Sequence, residues 1–314
     1  MDTIYLKHPI DGTTLKHEKT VMALGYFDGV HIGHQKVIKN AIEIANKLNT
    51  STSVMTFHPH PKEVLRNTEM NYITPLSEKI KKIEKLGVDT LFVVEFSLEF
   101  ASLTPQQFVD DYLIGLHVVH VVAGFDFTYG ALGKGTMETL PFHARNRLHS
   151  TTVEKFEMNN EKVSSTKIRE LLQQGAVWDV VSLLGSEYTL MGTVVDGEKR
   201  GRTIGFPTAN IKPNDRYIIP KTGVYAVKLT VNETQYDGVC NVGYKPTFHQ
   251  ENEADPTIEV HLFAFDQDIY GKEVELQWIS RIRSEKKFNG VEQLIEQIQR
   301  DKETAISLLQ TKVY

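Results

Sequence analysis

The stretch GYFDGVHIGH, residues 25–34, joins an apolar run to a segment in which apolar residues recur at helical spacing. Residues 20–25 predict a β-strand, and residues 34–48 predict a helix. The apolar face of that helix comprises Val37, Ile38, Ile42 and Ala45. A strand, a glycine-rich turn and a helix in this order are typical of an α/β sheet.

The same alternation of strand and helix patterns continues through the first half of the chain. Strand-like runs occupy residues 51–57, 90–96 and 118–124, with helical patterns at 77–87 and after Thr104-Pro105. We expect a Rossmann-like parallel sheet with helices on both faces. In such sheets ligands bind at the carboxyl ends of the strands. Residues 25–34 and the segment GFDFTYG, 124–130, both directly follow a strand.

The pattern changes after about residue 184. Helical segments at 166–175 and 176–185 are followed by short β-like runs separated by glycine, Asn or Asp. These runs predict a small antiparallel β-barrel, and residues 291–310 predict a C-terminal amphipathic helix packed on it. We therefore expect an α/β domain at 1–184 and a β domain at 187–314.

Composition excludes several classes of protein. The 314 residues include 35 basic and 40 acidic side chains, a net charge of −5, so neither nucleic acid nor an acidic membrane is an expected partner. The single cysteine, Cys240, excludes an internal disulfide and suits a reducing compartment. Residues 1–12 lack a basic start and an apolar core, so we expect no signal peptide, and no apolar run reaches about 20 residues. A soluble, cytoplasmic protein is expected.

His31 and His34 could be metal ligands, a phosphate clamp or ordinary loop residues. The sequence supplies no cysteine cluster and no HExxH to complete a metal site. Gly29 and Gly33 let the backbone approach a ligand, and the following helix offers free N–H groups and a positive dipole end. Two histidines there can donate hydrogen bonds to a transferring phosphate. The phosphate interpretation is favoured.

A second candidate phosphate site is VSSTKIR, residues 163–169. Hydroxyl groups and a basic residue at the start of a helix suit the β- and γ-phosphates of ATP. Taken alone, SSTK is more often a plain helix cap. Residues 133–136, GKGT, resemble the end of a Walker A loop, but Thr128 stands where that loop needs glycine. We expect no P-loop here.

The pair in residues 31–34 resembles the HxGH signature of nucleotidylyltransferases. With FHPHPKEVL (57–65), GFDFTYGALGKG (124–135) and VSSTKIRELL (163–172), it follows the order found in prokaryotic FAD synthetases. GRTIGFPTAN (201–210) resembles the signature of riboflavin kinase, and its companion motifs follow it. Over nearly its whole length the chain is similar to the bifunctional riboflavin kinase/FAD synthetase family. It departs from the usual family residues at Lys62, Tyr129, Asp196 and Ala264.

The resemblance implies that riboflavin is phosphorylated by ATP to FMN, and that FMN is adenylylated by a second ATP to FAD with release of pyrophosphate. It implies His31, His34 and Glu259 as catalytic residues, the last as a general base. Thr208 and Asn210 would hold Mg²⁺. Implied substrate- and nucleotide-binding residues are Gly25, Phe27, Asp28, Gly33, Asp126, Ser164, Ser165, Thr166, Arg169, Gly201, Arg202, Gly205, Phe206 and Arg283.

Several alternatives stay open at this point. Asp28 could shape the turn, Asp126 could cap a helix, and Phe206 could belong to the core. His58 and His60 have no expected role. At the level of function, the alternatives are a riboflavin kinase whose N-terminal domain binds nucleotide but turns over poorly, and a flavin-binding regulator without catalysis.

Overall fold

The computed structural model describes residues 1–10, 18–158, 161–197, 200–244 and 256–311. The chain forms two compact units, Met1–Ser165 and Thr166–Tyr314. Each unit has its own strands and helices.

The first unit contains a six-stranded sheet, short hairpins and helices. Its strands are β1 Asp2–Leu6, β2 Thr20–Leu24, β3 Ser51–His58, β4 Thr90–Glu95, β5 Val118–Gly124, β6 Thr128–Tyr129, β7 Gly135–Thr136, β8 His149–Val153, β9 Glu157–Met158 and β10 Glu161–Lys162. Its α-helices are α1 Ile32–Leu48, α2 Pro61–Arg66, α3 Leu76–Glu84, α4 Leu98–Ala101, α5 Pro105–Phe108 and α6 Leu140–Ala144. A π-helix spans Val109–Ile114 and a 3₁₀ turn spans Ala131–Gly133.

The large sheet is parallel, with strand order β1-β4-β3-β2-β5-β8. Successive residues of a strand point to opposite faces, and both faces are buried. On β2, Val21 and Ala23 pack with α1 and α3, whereas Met22 and Leu24 pack with the aromatic residues of the other face. The predicted parallel sheet with helices on both faces is confirmed.

Helix α1 buries Val37, Ile38, Ala41 and Ala45. Ile42, which the helical spacing placed on that face, is partly buried against the same cluster. Lys134 lies between the 3₁₀ turn and the short strand β7, so GKGT is not followed by a phosphate-binding helix, as expected.

The second unit is a closed antiparallel barrel with helices. Its strands are β11 Tyr188–Val195, β12 Ala209–Pro213, β13 Gly223–Val231, β14 Thr234–Gly243, β15 Thr257–Leu262 and β16 Glu273–Arg283, closed in the order β11-β12-β15-β14-β13-β16. Its helices are α7 Ser165–Gln174, which begins at the boundary, α8 Val177–Leu184, α9 Arg200–Thr203 and α10 Val291–Gln310.

The barrel has an aromatic centre and two packed helices. Trp278 is fully buried on β16, with its ring 5.2 Å from that of Tyr225 in an edge-to-face contact. Helix α8, which carries the half-exposed Trp178, packs on β11 and β16. Helix α10 packs Ala305 and Leu309 against the barrel. The predicted barrel with a C-terminal helix is confirmed.

Contacts divide the chain at the first residue of α7, earlier than the boundary expected near residue 185. The backbone N–H of Lys221 donates to the carbonyl of Leu172 at 3.1 Å, so α7 is bonded to the barrel's own loop. The limits 1–184 and 187–314 stay a prediction. Among the described residues, no helix combines the length and the apolar character needed to cross a bilayer.

Candidate active sites

His31 ends the turn after β2 and caps α1. Its Nδ1 accepts a hydrogen bond from the backbone N–H of His34 at 3.2 Å, which satisfies one donor of the first helical turn. Because Nδ1 is an acceptor, the neutral ring carries its proton on Nε2. Burial lowers the pKa of His31 to about 4. At neutral pH, His31 is therefore an uncharged ring with one N–H to donate.

The ring of His34 lies between two other rings. It stacks on His31 with centroids 3.5 Å apart, and it meets Phe27 edge to face at 5.2 Å. Burial, with the neighbouring His31 and Lys79, lowers the pKa of His34 well below its ordinary value. Its Nδ1 is buried and has no hydrogen-bond partner within the described part of the chain. An unpaired polar atom in a cavity wall is suited to a ligand group.

Asp28 ties the turn to two other segments. Its carboxylate is 2% exposed and accepts the backbone N–H groups of Thr74 at 3.0 Å and Ile73 at 3.4 Å. Its carbonyl accepts the hydroxyl of Ser165 at 2.8 Å. These bonds favour the turn-shaping interpretation of Asp28, and its contact with a ligand stays a prediction.

Gly25 and Gly33 make room for aromatic rings of the turn itself. A Cβ on Gly25 would lie 2.7 Å from the ring of Phe27, and one on Gly33 would lie 3.2 Å from the ring of His31. The absence of a side chain at these two positions therefore helps to place the histidine pair. A backbone contact to phosphate at either glycine stays a prediction.

A cavity of about 540 Å³ opens where β2 and β5 end. The structure brings together there the two segments that follow these strands, including Gly25, Phe27, His34 and Asp126. The aromatic part of the wall is formed by Tyr26, Phe57, Phe96, Phe100, Phe108, Phe127 and Tyr129. A mostly apolar pocket with a few polar groups, at the carboxyl ends of parallel strands, is a typical site for a ring-containing ligand.

Asp126 lies at the rim of this cavity in an exposed ion pair. Its Oδ2 accepts the ammonium of Lys162 at 2.7 Å, and that ammonium also lies 4.6 Å from the ring centroid of Phe125. The next element is strand β6 rather than a helix, so Asp126 is not a helix cap.

The residues at the start of α7 are divided between the units. Ser164 and Ser165 belong to the first unit, and Thr166 and Arg169 belong to the second. Beyond the bond from Ser165 to the turn, their expected contact with phosphates stays a prediction.

In the barrel, three polar residues are aligned across neighbouring strands. Glu259 on β15 pairs with Asn210 on β12 and with Asn241 on β14. Directly opposed residues share one face of a sheet, and so does His261, two residues along β15. The strand neighbours of Glu259 are buried apolar residues, whereas Glu259 itself is partly exposed. The side chain of Glu259 therefore lies on the polar face of β15 and not with its apolar strand neighbours.

Two cavities of the barrel unit share one lining residue, Thr208. One, of about 350 Å³, is also lined by the exposed Arg202. The other, of about 380 Å³, contains Glu259, Phe206 and Arg283. Thr208 is therefore the point at which the two cavities adjoin.

The loop before β12 closes on itself. The N–H of Phe206 donates to the carbonyl of Gly201 at 2.9 Å, and a Cβ on Gly201 would lie 2.2 Å from the carbonyl oxygen of Phe206. Gly205 has a φ of +84°, a conformation that favours glycine. The ring of Phe206 meets that of His261 at 5.3 Å and lines the second cavity. Phe206 is a wall residue of the cavity and not a member of the barrel core.

Arg283 is held by an acid that sequence reasoning missed. Asp301 on α10 is 3% exposed and accepts Nε of Arg283 at 2.9 Å and Nη2 at 2.7 Å. The signal was available, because Asp301 precedes Ala305 and Leu309 at intervals of four residues and therefore lies on the buried stripe of α10. A buried carboxylate on an apolar stripe requires a partner.

His261 was also missed as a site residue. Its Nδ1 lies 2.9 Å from the carbonyl oxygen of Pro207, the residue before Thr208. Burial lowers the pKa of His261, so the neutral ring donates from Nδ1 and holds this loop. Its place two residues after Glu259 was the available signal.

The oxygen donors beside the shared wall fit a magnesium ion. A Cβ on Gly197 would lie 2.0 Å from Nδ2 of Asn210, so Gly197 keeps open the space that this amide occupies. The Thr208 hydroxyl and the Asn210 amide are hard oxygen ligands, few in number, as suits an ion that keeps water and phosphate ligands. Within the described ranges, no three His, Cys, Asp or Glu side chains cluster as metal ligands.

Two family models match the chain, one to each part. A model for FAD synthetase matches residues 13–167, and a model for riboflavin kinase matches residues 184–309. A bifunctional riboflavin kinase/FMN adenylyltransferase from Bacillus subtilis is 54% identical over 98% of both chains. The chain belongs to this family. Family members from Listeria monocytogenes and Escherichia coli K12 are 49% and 36% identical, over 96% and 92% of both chains.

A solved structure is similar over both units of this family member. It is described as a macrolide-efflux protein from Streptococcus pneumoniae, with 36% identity and a TM-score of 0.89. The likeness covers 97% of this chain and 99% of that one. The two chains share the same fold over this range.

Proposed function

We propose that the chain makes FAD from riboflavin in two reactions, each of which consumes one ATP. The barrel unit phosphorylates riboflavin to FMN, and the sheet unit adenylylates FMN to FAD. Separate family models for the two activities match the two parts of the chain, and each unit has its own cavity with its own polar residues. Both activities are those of the family.

The assignment of the kinase reaction rests on Thr208, which lines both cavities of the barrel unit. Riboflavin binds in the cavity that contains Glu259, and ATP binds in the neighbouring cavity that contains Arg202. The ribityl hydroxyl then meets the γ-phosphate beside Thr208. Glu259 accepts the hydroxyl proton as a general base, and the new bond forms between that oxygen and the phosphorus as ADP leaves.

Thr208 and Asn210 hold Mg²⁺ in this proposal. When bound, the ion neutralises charge on the phosphates of ATP. The protein contributes two neutral oxygens and a loop kept in place by the bond from His261 to the Pro207 carbonyl.

In the sheet unit, FMN supplies its own nucleophile. An oxygen of its phosphate attacks the α-phosphorus of ATP, the bond from that phosphorus to the bridging oxygen breaks, and pyrophosphate leaves. His31 donates its Nε2–H to the negative charge that develops on the α-phosphate of ATP. His34 stacks on the ring of His31 and holds it in place. The flavin occupies the aromatic cavity beside the pair.

We place both reactions in the cytoplasm. The single thiol, Cys240, is buried and free, which is compatible with a reducing compartment. The net charge of −5 favours neither nucleic acid nor an acidic membrane as a partner.

Incubation with riboflavin, ATP and MgCl₂, followed by chromatographic separation of flavins, tests the proposal. We expect FMN and FAD, and we expect chelation of Mg²⁺ to abolish both. FMN without FAD at every ATP concentration would show a kinase alone. Flavin binding without either product would show a regulator.

A further inference from the structure

Lys79 on α3 is a charged side chain buried behind the cavity of the first unit. It is 1% exposed, and its Nζ lies 2.9 Å from the carbonyl oxygen of Tyr26 and 4.1 Å from the centroid of that ring. Across the described residues, its hydrogen bonds go to this carbonyl and, at 3.5 Å, to the Thr56 hydroxyl, and it has no ion pair with a carboxylate.

The fold compensates this charge only in part, because the buried carboxylate of Asp28 raises the pKa of Lys79 but burial outweighs that effect. The hydroxyl of Thr56 already donates to the carbonyl of Tyr26 at 2.8 Å, so that oxygen keeps a partner without Lys79. Removing an ammonium from water costs several kcal/mol unless an anion compensates it. The sheet unit therefore retains a costly cation directly behind its binding cavity.

The ammonium is close to the groups expected to act on phosphate. Tyr26 and His34 line the cavity, and Lys79 lies one layer behind Tyr26. The charge of Lys79 is one of the causes of the lowered pKa of His34. A buried charge acts over several ångströms because the medium around it screens poorly. FMN and ATP, the substrates of the proposed reaction, are both anions.

We propose that Lys79 is a positioning residue of the FMN adenylyltransferase site. Its ammonium donates, together with the hydroxyl of Thr56, to the carbonyl of Tyr26 at the start of the turn that carries His31 and His34. It also supplies a standing positive charge behind the wall that faces the substrate phosphates. This inference rests on the proposed function of the sheet unit.

If Lys79 has this role, the rate of FAD formation should depend on the charge of its ammonium and therefore on pH. Burial lowers the pKa of Lys79 to about 8, and Asp28 opposes that effect. The other titratable groups facing this region are His31 and His34, whose pKa values are lowered, and the cluster of Tyr26, Glu63 and Tyr72. Since both imidazoles are already neutral at pH 7, Lys79 is the group that loses its charge as pH rises through about 8. FAD formation should fall there.

The test measures kcat/KM for FAD formation from supplied FMN between about pH 6.5 and 9.5, because this parameter reports the free enzyme. We expect Lys79→Met to lower it at pH 7 by about ten- to a hundredfold and to remove the fall above pH 8. Lys79→Arg keeps the charge, so it should retain most of the rate without the fall. Lys81→Met, an exposed position on the same helix, is the matched control. Riboflavin phosphorylation by the same chains is the internal control.

The unfolding temperature distinguishes a positioning role of Lys79 from a role in folding. Lys79→Met should unfold at the same temperature as the wild type or higher, because it removes a buried charge. A wild-type rate and pH profile in Lys79→Met would overturn the inference. So would equal losses in Lys79→Met and Lys79→Arg, which would show a packing role. If neither variant folds, the wild-type profile decides, since the absence of a fall near pH 8 would contradict the inference. A wild type that never converts FMN to FAD would instead refute the proposed function.

Discussion

At the scale of single residues, Glu259 separates the two reactions. Glu259→Gln keeps the size of the side chain but removes the base, so FMN formation should fall by about 10²–10⁴. FAD formation from supplied FMN should stay at the wild-type rate, because Glu259 belongs to the barrel cavity. Chromatography of flavins measures both in one chain.

Glu275→Gln is the matched control for this variant. Glu275 lies partly exposed on β16 and lines none of the three cavities described above. Glu275→Gln should leave the rates of FMN formation and FAD formation unchanged. Folded Glu259→Gln that makes FMN as fast as the wild type would show that another group is the base.

The motifs predict most of the residues of the two sites, but they do not predict the residues to which these side chains are hydrogen-bonded. The spacing of His31 and His34 predicts a pair at a helix start, whereas the use of Nδ1 as a cap depends on the φ and ψ angles of the turn. Arg283 was expected to face substrate, yet two of its donors are held by Asp301, which only the packing of α10 brings near. The four-residue spacing along α10 indicates that Asp301 is buried, but it does not indicate which residue is its partner.

At the scale of elements, the start of α1 combines a helix cap with chemistry. His31→Asn keeps an acceptor for the N–H of His34 but loses the imidazole Nε2–H, so FAD formation should fall by about 10²–10³. His31→Ala loses both and should be the less stable variant by about 1 kcal/mol. Urea unfolding followed by far-UV circular dichroism measures the difference. A wild-type rate of FAD formation in folded His31→Asn would show that His31 serves the helix alone.

The central elements of each unit could be predicted, and the peripheral ones could not. Strands β2, β4 and β5 are mostly apolar runs because a parallel sheet buries both faces. Strands β1 and β8 lie at the two edges of the sheet and expose several of their residues, so each lacks the continuous apolar run that marks a central strand. Strand β12 is five residues long and carries motif residues in place of an alternating pattern.

At the scale of the whole molecule, the division between the units predicts which fragments fold. Residues 166–314 keep α7 and α8, and should fold alone and phosphorylate riboflavin. Residues 187–314 lose the bond between Lys221 and Leu172 and the buried face of α8. This shorter fragment should be the less stable of the two, as measured by thermal unfolding. Equal stability would favour the boundary near residue 185.

Both tryptophans of the chain, Trp178 and Trp278, belong to the barrel unit. Intrinsic tryptophan fluorescence therefore reports the unfolding of the barrel unit and not that of the sheet unit. Denaturation recorded by this emission and by circular dichroism would observe different parts of one polypeptide. A gap between the two midpoints would then measure, without any label or truncation, how independently the halves of the molecule unfold.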